Sequence, residues 1–129
     1  MGQKYLIDSN IIIDYLDNKM PKAGMVFVSK IVDATPNISV ISQIEVLRYD
    51  LPSRASKIMN VFVEYCNIYQ LDEEIVPIII DICKQRKIKL PDAIIAATAI
   101  YNEFILLTRN IDDFKNIKDL TCINPYQVE

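Results

Sequence analysis

Short apolar blocks alternate with amphipathic stretches along the chain, which is typical of an α/β protein. Residues 4–8 form an apolar run that predicts a buried strand. The apolar residues of positions 11–16 then recur at helical spacing, so we predict a helix there that Ser9 or Asn10 caps. The chain therefore opens with a strand followed by a helix.

The rest of the chain repeats this order. Proline and short β-branched runs mark the boundaries, because proline disfavours helix at the residue before it and β-branched residues favour strands. The predicted elements are a helix over 21–35, a strand over 37–41, a helix from Ser42, a helix over 55–66, a strand over 67–71, a helix from Asp72 to about Arg86 that Pro77 can kink, a helix over 92–101 opened by Pro91, a strand over 104–108, at most a short helix over 111–116, and a strand over 120–123. This pattern predicts an α/β fold with a parallel sheet covered by helices on both faces.

Composition narrows the possible chemistry. The chain has 129 residues, 51% hydrophobic and 24% charged, and its length predicts one domain over 1–129. It contains no histidine, which excludes Ser-His-Asp and Cys-His triads and imidazole metal sites. The net charge of −3 gives no global bias towards nucleic acid, so a polyanionic partner would need a local basic patch.

Cysteine content and hydropathy indicate the compartment. Cys66, Cys83 and Cys122 are odd in number and widely spaced, so we expect buried thiols in a reducing cytosol. The chain shows neither a signal-peptide pattern nor an apolar run of the roughly 18 residues that a membrane helix needs. We therefore expect a cytoplasmic protein without membrane association.

Acidic residues follow the ends of the predicted strands. They are Asp8, Glu45, Asp92, and the adjacent Asp112 and Asp113. In an open parallel sheet, ligands bind beyond the carboxyl ends of the strands. A cluster of carboxylates with Ser, Thr and Asn oxygens is suited to Mg²⁺ or Mn²⁺, and a dication would relieve the repulsion between the acids.

Each acid also has a structural alternative, because carboxylates are favoured at helix N-termini. Ser42 and Glu45 have the spacing of a capping box, Asp92 is an ordinary helix opening, and the Asp112–Asp113 pair could cap a short helix. Asp8 differs, since it lies between two apolar runs, where an unpaired carboxylate costs several kcal/mol to bury. That position favours a functional role, with helix capping by Asp8, Ser9 or Asn10 as the alternative.

Four sequence blocks carry these acids in order: KYLIDSNI at 4–11, SQIEV at 42–46, LPDAIIAATA at 90–99 and LTRNIDDF at 107–114. Together they resemble PIN-domain nucleases, especially the small VapC-type toxins. The resemblance covers nearly the whole chain and implies a five-stranded parallel sheet in the order 3-2-1-4-5. It also implies catalysis by carboxylates and a metal, for which histidine is not needed.

The resemblance suggests roles for individual residues. We expect Asp8, Asp92 and Asp113 to bind Mg²⁺ or Mn²⁺ directly or through water, and Glu45 to complete the site. Asp112 remains the alternative to Asp113. The polar residues expected to support the site are Ser9, Asn10, Thr108 and Asn110.

The leading hypothesis is a metal-dependent endoribonuclease acting on an RNA substrate, with a cognate antitoxin as partner and a homodimer as the assembly. The alternatives are a phosphoryl-transfer enzyme or phospho-receiver using Asp8, and a non-catalytic interaction domain. The cations that could grip RNA phosphates are Lys84, Arg86, Lys87, Lys89 and Arg109. For these cations, a solvated loop or an ion pair is the competing interpretation.

Overall fold

The computed structural model describes residues 3–129 and has a parallel five-stranded sheet at its centre. The strands lie in the order β3-β2-β1-β4-β5, which confirms the predicted order. Their bounds are β1 Tyr5–Ile7, β2 Asn37–Ser39, β3 Asn67–Tyr69, β4 Ile105–Leu107 and β5 Cys122–Ile123. Because every pair is parallel, the carboxyl ends of all five strands lie at one edge.

Helices cover both faces of this sheet. They are α1 Ser9–Leu16, α2 Lys22–Ala34, α3 Val40–Leu47, α4 Ser53–Tyr65, α5 Val76–Gln85, α6 Leu90–Tyr101, α7 Ile111–Phe114 and a 3-10 helix Pro125–Gln127. Within residues 3–129, none of the helices is both long enough and apolar enough to cross a membrane.

Two apolar cores follow from the alternation of side chains along the central strands. Leu6 and Leu106 point to one face and pack with residues of α5, α6 and α7. Ile7 and Leu107 point to the other face and pack with residues of α1 to α4. The sheet is therefore buried on both sides, as expected for short parallel strands with continuous apolar sequence.

Several predicted boundaries were wrong at helix starts. Val40 and Ile41 belong to α3 rather than to β2, because the side chain of Ser39 ends the strand and accepts a hydrogen bond from the Ile41 amide at 3.1 Å. Ser42 is thus inside the helix and is not its cap. The fifth helix begins at Val76 rather than at Asp72, since Pro77 fits only the first turn of a helix.

The cap of α1 and the burial of one cysteine also differ from expectation. Asp8, rather than Ser9 or Asn10, is the N-cap of α1. Cys66 and Cys122 are partly buried, and burial raises the pKa of each thiol, to about 12 and about 11. Cys83 is exposed on α5, contrary to the prediction of three buried thiols.

Candidate active site

Asp8 stands at the centre of the carboxyl edge of the sheet, with only 4% of its surface exposed. The register of β1 and β4 pairs Ile7 with Leu107, which places Asp8 beside Thr108. One carboxylate oxygen, Oδ1, accepts from the Ser9 amide at 2.8 Å. The other, Oδ2, accepts from Thr108 Oγ1 at 2.8 Å and from Asn10 Nδ2 at 3.1 Å. Three neutral donors therefore fix the orientation of this carboxylate.

The charge of Asp8 is poorly compensated. Burial raises the pKa of its carboxyl from 3.8 to about 6, although the hydrogen bonds from Thr108 and Ser9 lower it. The negative charges of Asp92 and Glu45 raise the pKa further. No basic side chain of residues 3–129 forms a salt bridge with Asp8. Asp8 thus combines helix capping with a buried charge that the chain does not neutralise.

Glu45 is held near Asp8 by a contact between α1 and α3. Ser9 Oγ donates to Glu45 Oε1 at 3.0 Å. Glu45 lies in the second turn of α3, beyond the capping positions, so the capping-box interpretation of Ser42 and Glu45 was wrong. Its carboxylate instead faces the other acids.

Asp92 and Asp113 form the other side of the acidic edge. Asp92 lies in the first turn of α6, and burial, followed by the charges of Asp113 and Glu45, raises the pKa of its carboxyl; Lys89 lowers it. Asp113 is therefore close enough to act on Asp92. Asp112 is more solvated, with 91% of its side chain exposed and Lys115 Nζ at 3.6 Å from its Oδ1.

The donor set is suited to a hard dication, because it consists of carboxylate, hydroxyl and amide oxygens without nitrogen or sulfur ligands. Across the part of the chain that the structure describes, no three acidic or cysteine side chains stand close enough together to enclose one ion. A dication bound among these acids would relieve the repulsion between their like charges.

The whole edge lies within a region shared with known proteins. The family model for the PIN domain matches residues 5–120. The chain belongs to the PIN-domain family. It is 29% identical over 122 residues to ribonuclease VapC1 of Methanocaldococcus jannaschii, a match that covers 90% of this chain and 82% of that protein.

Solved structures agree on the fold. One chain of a toxin–antitoxin complex from Klebsiella pneumoniae superposes with a TM-score of 0.75 at 28% identity, covering 97% of this chain and all of that one (100%). A chain of a DNA-bound VapBC structure from Salmonella typhimurium gives 0.80 at 20% identity, with 96% and 99% coverage. At the lower identity, the likeness concerns the fold alone.

A cleft of about 450 Å³ in this PIN domain lies between the acids and a basic loop. Its lining residues are Arg86, Lys87, Ile88, Lys89, Asp92, Asp112 and Asp113. Lys87 and Lys89 are exposed cations in it, whereas Lys84 lies outside it on α5. The cleft therefore has both a cationic and an acidic wall.

Two of the predicted RNA-binding arginines are already engaged within the chain. The Arg86 guanidinium donates to the carbonyl of Lys115 at 2.7 Å and to that of Asn116, so it holds the basic loop against the end of α7. Arg109 Nη1 donates to Asp14 Oδ2 at 2.7 Å. The ion-pair alternative therefore describes Arg109, while a role for either arginine in RNA binding stays a prediction.

Sequence reasoning missed Asp14, Asn124 and Tyr126, which meet beside the site. The hydroxyl of Tyr126 donates to Asp14 Oδ2 at 2.9 Å, and Asn124 Nδ2 approaches the carbonyl of Arg109 at 3.5 Å. Asp14 could have been noticed, since it is an acid in an otherwise apolar helix. Asn124 and Tyr126 gave no such signal, and they lie beyond the range that the family model matches.

Proposed function

We propose that this PIN domain is an Mg²⁺- or Mn²⁺-dependent endoribonuclease that hydrolyses RNA phosphodiester bonds, and that it is the toxin of a toxin–antitoxin pair. The observation that carries the proposal is the Asp8 carboxylate, which is buried beside Asp92 and Glu45 without a cation. Burial of an uncompensated carboxylate destabilises a fold, so such a site is retained where a ligand supplies the missing positive charge.

In this proposal Asp8, Asp92 and Asp113 hold the metal directly or through water, and Glu45 completes the ligand set. When bound, the metal supplies a Lewis acid that orients an attacking water and stabilises charge on the phosphate. Ser9 holds Glu45, while Thr108 and Asn10 hold Asp8. These contacts fix the direction of the Asp8 and Glu45 carboxylates before RNA arrives, which lowers the entropy lost in reaching the reactive geometry.

The basic wall of the cleft is the proposed phosphate-binding surface. Lys87 and Lys89 line the same cleft as Asp113 and Asp92, so an RNA backbone bound to them would lie beside the acids. Phosphate contacts of this kind carry no sequence information. If both lysines bind phosphates, Lys87→Gln and Lys89→Gln each reduce the slope of log affinity against log salt by about one.

The protein partner is proposed from the relatives. The compared solved structures include a toxin–antitoxin complex and a VapBC assembly with DNA. A cognate antitoxin is therefore the expected partner of this chain, with a homodimer as its own assembly. The test is copurification with the product of a neighbouring short reading frame.

The competing functions have weaker support. A phosphoryl-transfer enzyme of the Asp-x-Asp type needs a second acid two residues after the nucleophile, whereas that position holds Asn10, which donates to Asp8 Oδ2 at 3.1 Å. A non-catalytic domain has no need to keep a strained set of acids at the sheet edge.

Cleavage of a mixed RNA substrate by the purified chain tests the proposal. We expect cleavage with Mg²⁺ or Mn²⁺, none with excess chelator, and products with 5′-phosphate and 3′-hydroxyl ends. Undiminished cleavage in chelator would contradict the metal-dependent mechanism. Products ending in a 2′,3′-cyclic phosphate would indicate attack by the 2′-hydroxyl of the substrate instead.

A further inference from the structure

A second buried carboxylate, Asp14, gathers three distant parts of the chain behind the site. It lies on α1 and is 4% exposed. Its Oδ2 accepts from Arg109 Nη1 at 2.7 Å and from the hydroxyl of Tyr126 at 2.9 Å. Arg109 directly follows Thr108, and Tyr126 belongs to the 3-10 helix near the end of the chain. One carboxylate oxygen thus joins α1, the loop after β4 and the C-terminal 3-10 helix.

The position of the 3-10 helix is fixed by its own cap and by close packing against α2. Asn124 caps it, accepting a hydrogen bond from the Tyr126 amide at 2.9 Å. On its other side, Gly24 of α2 packs so tightly that a Cβ atom there would lie 2.3 Å from the carbonyl oxygen of Pro125. Only glycine allows that approach, so any other residue at position 24 would displace the 3-10 helix.

The junction leads directly to Asp8 through the segment of residues 108–110. The Arg109 amide donates to Asn10 Oδ1 at 3.2 Å, and Asn10 Nδ2 in turn donates to Asp8 Oδ2 at 3.1 Å. Thr108 Oγ1 donates to the same oxygen of Asp8 at 2.8 Å. The Asn110 amide donates to Thr108 Oγ1 at 3.1 Å. Two of the three donors to Asp8 therefore depend on how this segment lies.

We propose that Asp14, Arg109 and Tyr126 are positioning residues, which lock segment 108–110 in the conformation that fixes the Asp8 carboxylate. The C-terminal 3-10 helix is then part of the support of the active site, although it lies beyond residues 5–120 matched by the family model. This inference rests on the proposed function for its catalytic consequence. It also assigns the Arg109 guanidinium to Asp14 rather than to RNA.

Two variants loosen the junction without touching a carboxylate or a donor to Asp8. Tyr126→Phe removes one hydroxyl and keeps the ring. Gly24→Ala displaces Pro125, and with it the 3-10 helix, but removes no hydrogen-bonding side chain. Tyr101→Phe, which removes the hydroxyl of a half-exposed tyrosine at the end of α6, is the matched control.

Amide hydrogen exchange measures the positioning directly. In Tyr126→Phe we expect the amides of segment 108–110 to exchange about tenfold faster, with the exchange of β3 unchanged. The reason is that local opening of this segment no longer has to break the hydrogen bond from Tyr126 to Asp14. The Tyr101→Phe protein keeps wild-type exchange. Unchanged exchange of segment 108–110 in Tyr126→Phe would overturn the proposal, and this readout does not depend on RNA cleavage.

Steady-state cleavage gives the second readout. For Tyr126→Phe we expect kcat to fall about fivefold with KM and its salt dependence unchanged, since a misplaced carboxylate slows chemistry rather than binding. Gly24→Ala should act in the same direction, and the double variant should lose less than the product of the two effects because both loosen one junction. A higher KM with unchanged kcat would overturn the positioning role. If the wild-type chain cleaves no RNA, the proposed function fails, while hydrogen exchange still decides whether the junction holds the segment.

Discussion

Asp8 and Asp14 stand at the two ends of α1 and are equally buried. They differ in how the chain compensates the charge of each carboxylate. Asp14 has a cation, Arg109, and a phenolic donor, Tyr126, on one carboxylate oxygen. Asp8 has only neutral donors and two neighbouring negative charges. Burying a carboxylate is unfavourable unless it is paired with a cation. The described part of the chain supplies that cation for Asp14 but not for Asp8.

This difference separates an acid whose charge is compensated within the chain from one whose charge is not. Charge alone does not distinguish them, since both are aspartates with 4% exposure. The partners do, because Arg109 pairs with Asp14, while no basic side chain among residues 3–129 pairs with Asp8. Charged neighbours also distinguish Asp113 from Asp112. Only Asp113 raises the pKa of another acid of the site, Asp92.

Exchanging each acid for its amide gives the largest expected effects and tests the comparison directly. Asp8→Asn keeps an acceptor for the Ser9 amide but removes the charge, so we expect cleavage to fall at least about 100-fold with the fold intact. Asp14→Asn breaks an ion pair, so we expect a loss of about 1–3 kcal/mol in the free energy of unfolding and a much smaller loss of cleavage. Single-turnover cleavage and urea unfolding of both variants are the measurements. Equal activity of the two variants would remove the distinction.

The pH dependence of stability sharpens the same comparison. The pKa of Asp8 is higher in the folded chain, at about 6, than its ordinary value of 3.8, so the folded state binds the proton more tightly. The metal-free protein should therefore lose stability as pH rises from about 4 to about 6, by about 3 kcal/mol from Asp8. The raised pKa of Asp92 acts in the same direction.

Urea unfolding in chelator across this pH range measures the effect. The slope should flatten in Asp8→Asn and persist in Asp14→Asn. Added Mg²⁺ should restore stability above about pH 6 more than below it, because the deprotonated acids bind it. A slope that is the same in Asp8→Asn as in wild type would assign the pH dependence to other groups.

Neighbouring acids at the other side of the edge provide a smaller but well-matched test. Asp113 acts on Asp92, whereas Asp112 is solvated and pairs with Lys115. We expect Asp113→Asn to lower cleavage at limiting Mg²⁺ by about tenfold or more, equivalent to ~1.4 kcal/mol, and Asp112→Asn to change it less than about twofold. The two variants change the net charge equally, so a general electrostatic effect on RNA binding cancels. The reverse order would make Asp112 the acid of the site.

The α/β class could be predicted from the apolar blocks of the sequence, while the strand order came from the resemblance to PIN domains that four local motifs carry. The junction at Asp14 could not, since it joins residues that are 95 and 112 positions apart and is recorded in no local pattern. Likewise, the sequence did not indicate that Arg86 and Arg109 have partners in other elements, and their predicted role in RNA binding stays a prediction. Tertiary contacts, rather than residue type, decide what a charged side chain does.

The start of α3 illustrates the same limit at short range. Both Ser39 and Ser42 precede apolar residues at helical spacing, and Glu45 gave Ser42 the spacing of a capping box. The backbone turns helical at Val40, two residues before Ser42, so Ser39 is the cap and the Oγ of Ser42 is buried without a hydrogen-bond partner among the described residues. The capping-box pattern favoured Ser42, whereas the tertiary structure ends the strand at Ser39.

The smallest expected effects come from these two serines, and they decide whether Glu45 belongs with Asp8 or with the helix cap. Ser39→Ala removes the acceptor for the Ile41 amide and should lower the free energy of unfolding by about 1 kcal/mol. Ser42→Ala removes a buried hydroxyl without a partner, so it should leave stability unchanged or slightly higher.

Glu45→Gln keeps an acceptor for Ser9 Oγ while removing a charge that raises the pKa of Asp8, so it should not destabilise the metal-free protein. Its cleavage rate at limiting Mg²⁺ should nevertheless fall about tenfold, because a neutral amide is a poorer ligand for a hard dication. Thermal unfolding and cleavage of the three variants are the measurements: a destabilised Ser42→Ala together with a fully active Glu45→Gln would return Glu45 to a capping role and leave Asp8 with one acidic neighbour fewer.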